Sequence, residues 1–232
     1  MIRQIFASAL YAGLAAGALA FLLQYQFINP LITEAELYES GARAHFAASL
    51  DGPVQSPAGL EMIELQRDFA RDAQSFGFSL LTYTGFALIL VAVLALADRF
   101  AGPVSPRSGL AWGIAAFAAF QLAPGFGLPP ELPGMIATEI GPRQNWWIAC
   151  AAATAIGLAL VVFGRGLVLG ALGLILIAAP HIWGAPHPDT YFGIVPPELA
   201  ARFVASVYAV SAAAFATLGL LATSFYVRFD RP

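Results

Sequence analysis

Residues 75–97 read SFGFSLLTYTGFALILVAVLALA and contain no charged side chain. A helix needs about 20 apolar residues to cross a bilayer, so this stretch is long enough to span one. The rest of the chain has the same character, because 59% of its 232 residues are hydrophobic and only 11% are charged. Soluble domains carry about 25% charged residues. The sequence therefore predicts an integral membrane protein.

Five further apolar runs lie on either side of this stretch. They cover residues 5–27, 109–123, 145–163, 167–179 and 199–227. We expect an all-α integral membrane protein in which residues 1–232 form a single transmembrane domain of about six helices, arranged as three helical hairpins. Five spans are the alternative, because only Gly164, Arg165 and Gly166 separate residues 145–163 from residues 167–179, and these two runs could form one interrupted segment.

The first apolar run has a competing interpretation as a signal peptide, since Ala18-Leu19-Ala20 resembles a cleavage site. The apolar part of a signal peptide is usually only about 7–15 residues long, and residues 5–27 form a longer run. Ala9, Gly13 and Gly17 also recur at four-residue spacing, which is typical of a helix-packing face in membranes. We expect this run to be retained as a helix.

The polar material is concentrated in two loops, residues 28–74 and the Pro/His-rich residues 180–198. With six helices and a cytoplasmic N terminus, both loops are external, and the external side holds twelve acidic residues, five arginines and all three histidines. The other side holds six arginines and two acidic residues. The positive-inside rule favours this orientation, with both termini in the cytoplasm. Within the first loop, Thr33 and Glu36 fit a capping box and predict a helix start.

The basic residues exclude several kinds of chemistry. All 11 are arginines, so the chain has neither the lysine of an ATP-binding Walker A loop nor that of a pyridoxal Schiff base. The chain also shows no catalytic constellation, and we expect neither an enzyme nor a nucleic-acid-binding protein, and no covalently bound cofactor. The single cysteine, Cys150, is expected to be a small packing residue.

A sequence repeat links two parts of the chain. PPEL occurs at residues 129–132 and 196–199, in each case after a helix that ends in Ala-Pro. We expect residues 109–163 and 167–227 to be related hairpins, with Glu131 and Glu198 as matching acidic sites. The alternatives are that proline ends helices at any membrane surface and that Glu198 complements a helix dipole.

Four short blocks carry a resemblance to a known family. They are PLITEAELYE (residues 30–39), PELPG (130–134), RQNWW (143–147) and PHIWGAP (180–186). In this order they resemble the CbtA family of predicted cobalt transporter subunits. The resemblance implies a bacterial inner-membrane protein for cobalt uptake, linked to cobalamin supply. It also implies five spans and a small single-span partner, CbtB, with a His-rich end.

Candidate metal ligands lie in the two external loops. Co²⁺ accepts imidazole nitrogen and carboxylate oxygen, and Ni²⁺ suits similar ligands. We expect the ligands to come from the following residues: His181, His187, Asp189, Glu34, Glu39 and His45. The alternative for the histidines is an interfacial position at a helix end.

A polar stripe in the second span consists of Ser75, Ser79, Thr82 and Tyr83. It predicts either a path through the helices or a contact with another helix, because lipid cannot satisfy polar groups. No ionisable residue lies firmly in the middle of a span, and this favours a second function, that of a non-conducting structural or assembly subunit.

Overall fold

A computed structural model describes residues 2–43, 69–190 and 192–229, which are almost entirely helical. The longer helices are α1 (Ile2–Phe27), α3 (Phe69–Phe100), α6 (Ile140–Phe163), α7 (Leu167–Trp183) and α8 (Pro197–Phe229). The shorter ones are α2 (Asn29–Glu39), α4 (Gly109–Phe117) and α5 (Ala123–Gly127). A 3₁₀ turn, Pro106–Ser108, precedes α4, and a π-helix, Ala118–Leu122, joins α4 to α5, so that Pro106–Gly127 is one continuous segment.

Six segments run between the two ends of the bundle, as the apolar runs predict. Five of them are long and apolar enough to cross a membrane, and the sixth, α7, is an apolar helix of 17 residues. At 1.5 Å per residue α7 is about 25 Å long, somewhat less than the 30 Å hydrocarbon core of a bilayer. The protein is thus a multi-pass, all-α membrane protein with five to six spans.

The two ends of the bundle differ in charge. We call the end that holds α2 and the loops at 128–139 and 184–196 the carboxylate-rich end. Its described residues include eight acids and four arginines: Glu34, Glu36, Glu39, Asp72, Glu131, Glu139, Asp189, Glu198, Arg43, Arg71, Arg143 and Arg202. The opposite, arginine-rich end carries Arg3, Arg99, Arg107, Arg165, Arg228 and Asp98. Gln4 donates a hydrogen bond of 3.0 Å to the Tyr226 carbonyl, so both described chain ends lie at the arginine-rich end.

The core lies where α8 meets α1, α3 and α4. Phe215 of α8 is completely buried, and its ring lies 5.0 Å from that of Phe86 and 5.7 Å from that of Tyr83. Aromatic rings at such separations attract one another beyond the effect of area burial alone. Alanines of α1, including Ala12 and Ala16, fill the remaining space without any exposed surface. The first apolar run is therefore an integral part of the bundle.

Glycines set how closely the helices approach. A Cβ on Gly113 or Gly219 would collide with the backbone of the facing helix, because α4 and α8 touch there directly. The same holds for Gly157 of α6 and Gly173 of α7. Where lipid is as apolar as the side chains, such close backbone packing is what holds helices together.

The packing partners differ from the three expected hairpins. The first hairpin forms, because α1 packs along α3, with Gly13 against Thr84. The other helices pair chiefly as α4 with α8 and α6 with α7. The segment Pro106–Gly127 also packs on α6, mainly through its π-helix and α5, whereas among the described residues α7 does not pack along α8. The positions of the glycines explain the difference, because each pair meets at its glycine faces. The repeat stays a prediction, although Pro124 and Pro180 lie at the same end of the bundle, as it requires.

Helix α2 starts earlier than the capping box predicts. It begins at Asn29 with proline in its first turn, so Thr33 lies inside the helix and caps nothing. Glu36 instead pairs with Arg71 of α3, with a nitrogen–oxygen distance of 2.6 Å. Proline suits the first turn because its missing N–H has no partner there in any helix. The apolar face of α2, with Leu31 and Ala35 buried, packs towards the first turns of α8 and closes the carboxylate-rich end.

Candidate metal site at the carboxylate-rich end

Two loops meet at this end and hold its surface together. Met135 and Gly193 form an isolated antiparallel bridge between the loop after α5 and the loop before α8. Gly134 has a φ of 80°, a left-handed conformation that favours glycine, and it lies against Ile194. An ion pair of 2.9 Å between Arg143 and Glu131 ties the start of α6 to the same loop. The loops thus form a defined surface above the helices.

A cavity of about 560 Å³ opens beside this surface. It lies between the Pro106–Gly127 segment, α6 and α7, and its walls are mostly apolar. Leu122 of the π-helix and Ile177 of α7 are typical lining residues. His181 is the one ionisable side chain among the described lining residues.

Aromatic rings and one hydrogen bond fix the position of His181. The Trp146 indole donates a hydrogen bond of 3.3 Å to the Pro180 carbonyl, which ties the last turn of α7 to α6. The Trp146 ring also lies edge-on to the imidazole at 6.0 Å, and Phe126 does so at 6.3 Å. On the α6 side, His181 Nε2 lies 3.9 Å from Cys150 Sγ. The His181 imidazole lines the cavity, whereas Cys150 is completely buried and is not one of the described lining residues.

The other predicted metal ligands are distributed over the surface. Glu34 forms an ion pair of 3.1 Å with Arg43, which competes with a cation for its carboxylate. Glu39, His187 and Asp189 are exposed, and His187 Nδ1 lies 3.4 Å from the Pro188 carbonyl. His45 lies outside the described residues.

The structure does not gather these candidates into one metal centre. In residues 2–43, 69–190 and 192–229, no group of three or more His, Cys, Asp or Glu side chains is arranged to hold a metal ion. Co²⁺ accepts four to six ligands, so a site built on the described residues needs additional donors from water or from a partner. The ligand set stays a prediction.

The two repeat-related glutamates have different surroundings. Glu131 is half-buried in its ion pair with Arg143. Glu198 is exposed in the first turn of α8, where a negative charge complements the helix dipole. Their matching sequence positions therefore do not produce matching environments.

The polar stripe of α3 divides between two environments. Ser79 is buried and donates a hydrogen bond of 3.3 Å to Gln24 of α1. Tyr83 is buried in the aromatic core, Ser75 is half-buried, and Thr82 is exposed on the outer surface of the bundle. Of the two interpretations of the stripe, this placement favours helix packing over a path.

Cys150 is completely buried, as expected of a packing residue. The contact of its thiol with the imidazole of His181 was not predicted from the sequence. The turn at residues 164–166 is the feature of the sequence from which this contact could have been inferred. If the chain folds back at Arg165, a residue 16 positions after the turn lies opposite one about 15 positions before it, and these two are His181 and Cys150.

The comparison with known proteins places the chain in one family. The sequence model of CbtA, described as a probable cobalt transporter subunit, matches residues 2–227. Neither a curated protein nor a solved structure matches the chain. The match covers all six apolar segments and both loops of the carboxylate-rich end. The chain therefore belongs to the CbtA family of probable cobalt transporter subunits.

Proposed function

We propose that this chain is the membrane subunit of a bacterial cobalt uptake transporter, and that it serves the supply of cobalamin. The observation that carries the proposal is the cavity at the carboxylate-rich end, with His181 in its wall. Imidazole is a good ligand for Co²⁺, and an excess of carboxylates concentrates cations at the entrance. In this proposal the chain is a single transmembrane domain that transports an ion and is not an enzyme.

The carboxylates at this end are not all neutralised by arginine. Glu34, Glu36 and Glu131 each have an arginine partner. No ion pair joins Glu39 or Asp189 to another described residue, and Glu39, Glu198 and Asp189 are exposed. These groups leave a net negative surface at the carboxylate-rich end, so the approach of a divalent cation to this end is favourable.

The proposed orientation places the carboxylate-rich end outside the bacterial inner membrane. The short loops at Arg99–Arg107 and at Arg165 lie at the opposite end, and arginine in short loops favours the cytoplasm. The inside-negative membrane potential then draws the cation inward, with about 4.6 kcal/mol for two charges per 100 mV.

Topology reporters test this orientation. We expect fusions at Arg165 and at Pro232 both to report the cytoplasm, and a fusion in the loop at Pro188 to report the outside. An external reporter at Pro232 together with a cytoplasmic one at Arg165 would contradict six crossings. If all three reporters are reversed, the crossings stand and the proposed orientation is wrong.

A single-span partner with a His-rich end fits this arrangement. The described residues offer few ligands in one place, and additional imidazoles from a CbtB-like partner would complete the coordination of the ion. The alternative is that the chain is a non-conducting scaffold. The scarcity of ionisable groups among the buried residues of the spans favours this alternative.

Cobalt uptake into lipid vesicles separates the two functions. Vesicles contain this chain, the small partner, both or neither, and an inside-negative potential is imposed before radioactive Co²⁺ is added. If this chain conducts the ion, vesicles that contain it, alone or with the small partner, take up at least ten times more Co²⁺ than empty vesicles. The substitution His181→Ala then lowers this uptake. If this chain is only a scaffold, the partner carries the uptake. The substitution His181→Ala then leaves Co²⁺ uptake unchanged in vesicles that contain equal amounts of the two-subunit complex. Uptake in no preparation would contradict the cobalt function.

A further inference from the structure

We propose that a groove between α1 and α3 at the arginine-rich end binds one anionic phospholipid, with an acyl chain in the groove and the phosphate against Arg3. The site lies at the end of the bundle opposite the cavity that holds His181. It depends neither on the identity of the transported ion nor on the orientation of the chain in the membrane.

The groove has a volume of about 320 Å³ and mostly apolar walls. One face of α1 and one face of α3 form these walls. The described lining residues are Arg3, Phe6, Ala7, Leu10, Thr84 and Leu88. Phe6 is 60% exposed and Leu10 is 48% exposed. Both helices are long and apolar enough to cross a membrane, so the groove is open sideways to the hydrocarbon of the bilayer.

The length and the width of the groove fit an acyl chain. Thr84 lies against Gly13, ten residues after Arg3, so the groove extends about 15 Å along α1. One leaflet has the same depth, half of a hydrocarbon core of about 30 Å. A volume of about 320 Å³ over this length gives a mean cross-section of about 21 Å². A helix about 10 Å across needs about 80 Å², so the groove is too narrow for a partner helix.

Arg3 supplies a charge that recognises phosphate. Its side chain is exposed where the groove reaches the arginine-rich end, and no ion pair joins it to another described residue. A guanidinium group binds phosphate through paired N–H donors. Asp98, the one acid described at this end, accepts a hydrogen bond of 2.8 Å from the Val104 N–H. The guanidinium of Arg3 is therefore available to a lipid headgroup.

The register of the two helices brings a second arginine to the same groove. The facing pair Gly13 and Thr84 sets the antiparallel register, in which Arg99 lies about 7–8 Å further out than Arg3. Arg99 is exposed and follows Leu88 by eleven residues, close to three full turns, so both lie on one face of α3. A phosphate at the mouth of the groove thus has an arginine on each helix.

The charge of this end selects the headgroup. Every phospholipid carries a phosphate, but the quaternary amine of phosphatidylcholine is repelled by arginine, whereas phosphatidylglycerol keeps its negative charge. The described residues of this end include five arginines and one acid. Basic pockets between membrane helices bind anionic headgroups in the same way. We therefore expect the groove to prefer phosphatidylglycerol.

Native mass spectrometry of the purified full-length chain measures this preference. The protein in detergent is titrated with phosphatidylglycerol or with phosphatidylcholine that has the same acyl chains. We expect one phosphatidylglycerol molecule to bind at least tenfold more tightly than phosphatidylcholine. Glycerol phosphate, which is anionic but has no acyl chain, should not compete at a hundredfold excess.

Three variants locate the lipid. Arg3→Gln should weaken the binding of phosphatidylglycerol at least fivefold and change that of phosphatidylcholine less than twofold. Ala7→Phe, which fills the groove, should weaken the binding of both lipids at least fivefold. Arg165→Gln is the matched control, because it removes an exposed arginine of the same end from the turn between α6 and α7. Its affinities should stay within twofold of wild type.

Each result either supports the site or overturns it. Equal affinities for the two lipids in the wild-type protein would overturn the inference, and so would full affinity for phosphatidylglycerol in Arg3→Gln. Competition by glycerol phosphate would show an anion site without a bound chain. Thermal midpoints verify folding, and Arg3→Gln decides if Ala7→Phe does not fold, because the exposed Arg3 lies outside the buried core. Cobalt uptake is no part of the measurement, so a failure of the transport function leaves the lipid site standing.

Discussion

Gly219→Leu is expected to prevent the bundle from forming. A Cβ at this position would collide with the Gly113 nitrogen and the Gly109 carbonyl oxygen of α4, and neither backbone atom can move aside. Extra methylenes in a packed core cost about 1–3 kcal/mol even where side chains can adjust. With backbone on the opposite side, we expect a cost at or above the top of that range. The measurement is the yield of monodisperse protein in detergent and its thermal midpoint.

Gly85→Leu is the matched control for this variant. Gly85 lies in α3, and a Cβ there meets nothing within 4 Å. Leucine favours a helix over glycine by about 1 kcal/mol, so the control should be as stable as wild type or more stable. Gly219→Ala, with a single added methyl, should fall between the two. Equal thermal midpoints for Gly219→Leu and Gly85→Leu would show that α4 and α8 are not in backbone contact.

The double variant His181→Ala with His187→Ala is expected to reduce cobalt uptake at least tenfold at low external metal. It removes the imidazole in the cavity wall and the exposed imidazole of the adjacent loop. Pro186 and Pro188 limit the conformations of that loop, so it loses less entropy when it binds an ion. His45→Ala should have a smaller effect.

Radioactive cobalt uptake, with the protein level measured in parallel, provides the comparison. The variants leave the buried core intact, because His181 and His187 are both exposed. Wild-type uptake in the double variant at equal protein level would show that these histidines only mark the membrane interface.

The spans could be predicted from the sequence because a helix that crosses lipid must be apolar over about 20 residues. The predicted runs at 5–27 and 199–227 differ by only a few residues from Ile2–Phe27 and Pro197–Phe229. In these helices apolar residues continue until charged or proline residues mark the membrane surface. The runs at 109–123 and 167–179 are exceptions, since the helix continues past Pro124 to Gly127 in the first and past Pro180 to Trp183 in the second. Proline has no N–H and clashes with the carbonyl four residues earlier, and the wider π-helix at Ala118–Leu122 makes room for Pro124.

The pairing of the helices could not be predicted from the order of the runs. Neighbours in sequence were expected to pair, but α4 packs against α8, which begins about 80 residues further along the chain. That choice depends on whether the glycine face of one helix matches the glycine face of another. Gly113 and Gly219 were visible in the sequence, but nothing in the sequence says that they face each other.

His181 was named as a candidate ligand because its imidazole lies in the Pro/His-rich loop, and the structure places it in the wall of the cavity. Its binding of a metal stays a prediction. The importance of Glu36 was misjudged, because its partner Arg71 lies beyond a long loop and local sequence spacing favoured a capping role. The contact between Cys150 and His181 could not be predicted, because only the register of α6 against α7 brings these two side chains together.

The position of α8 in the core determines when the protein can fold during its synthesis. α1 and α3 can pair early, but the glycine face of α4 and the second face of α1 wait for the 33 residues of α8. Roughly 110 residues separate Gly109 from Gly219, which corresponds to about 5–20 s at the usual speed of translation. Throughout that interval the nascent chain is an open set of helices that membrane chaperones and proteases can reach. Translation that stops before residue 197 yields a chain without its central helix, so the survival of the product depends on the synthesis of α8.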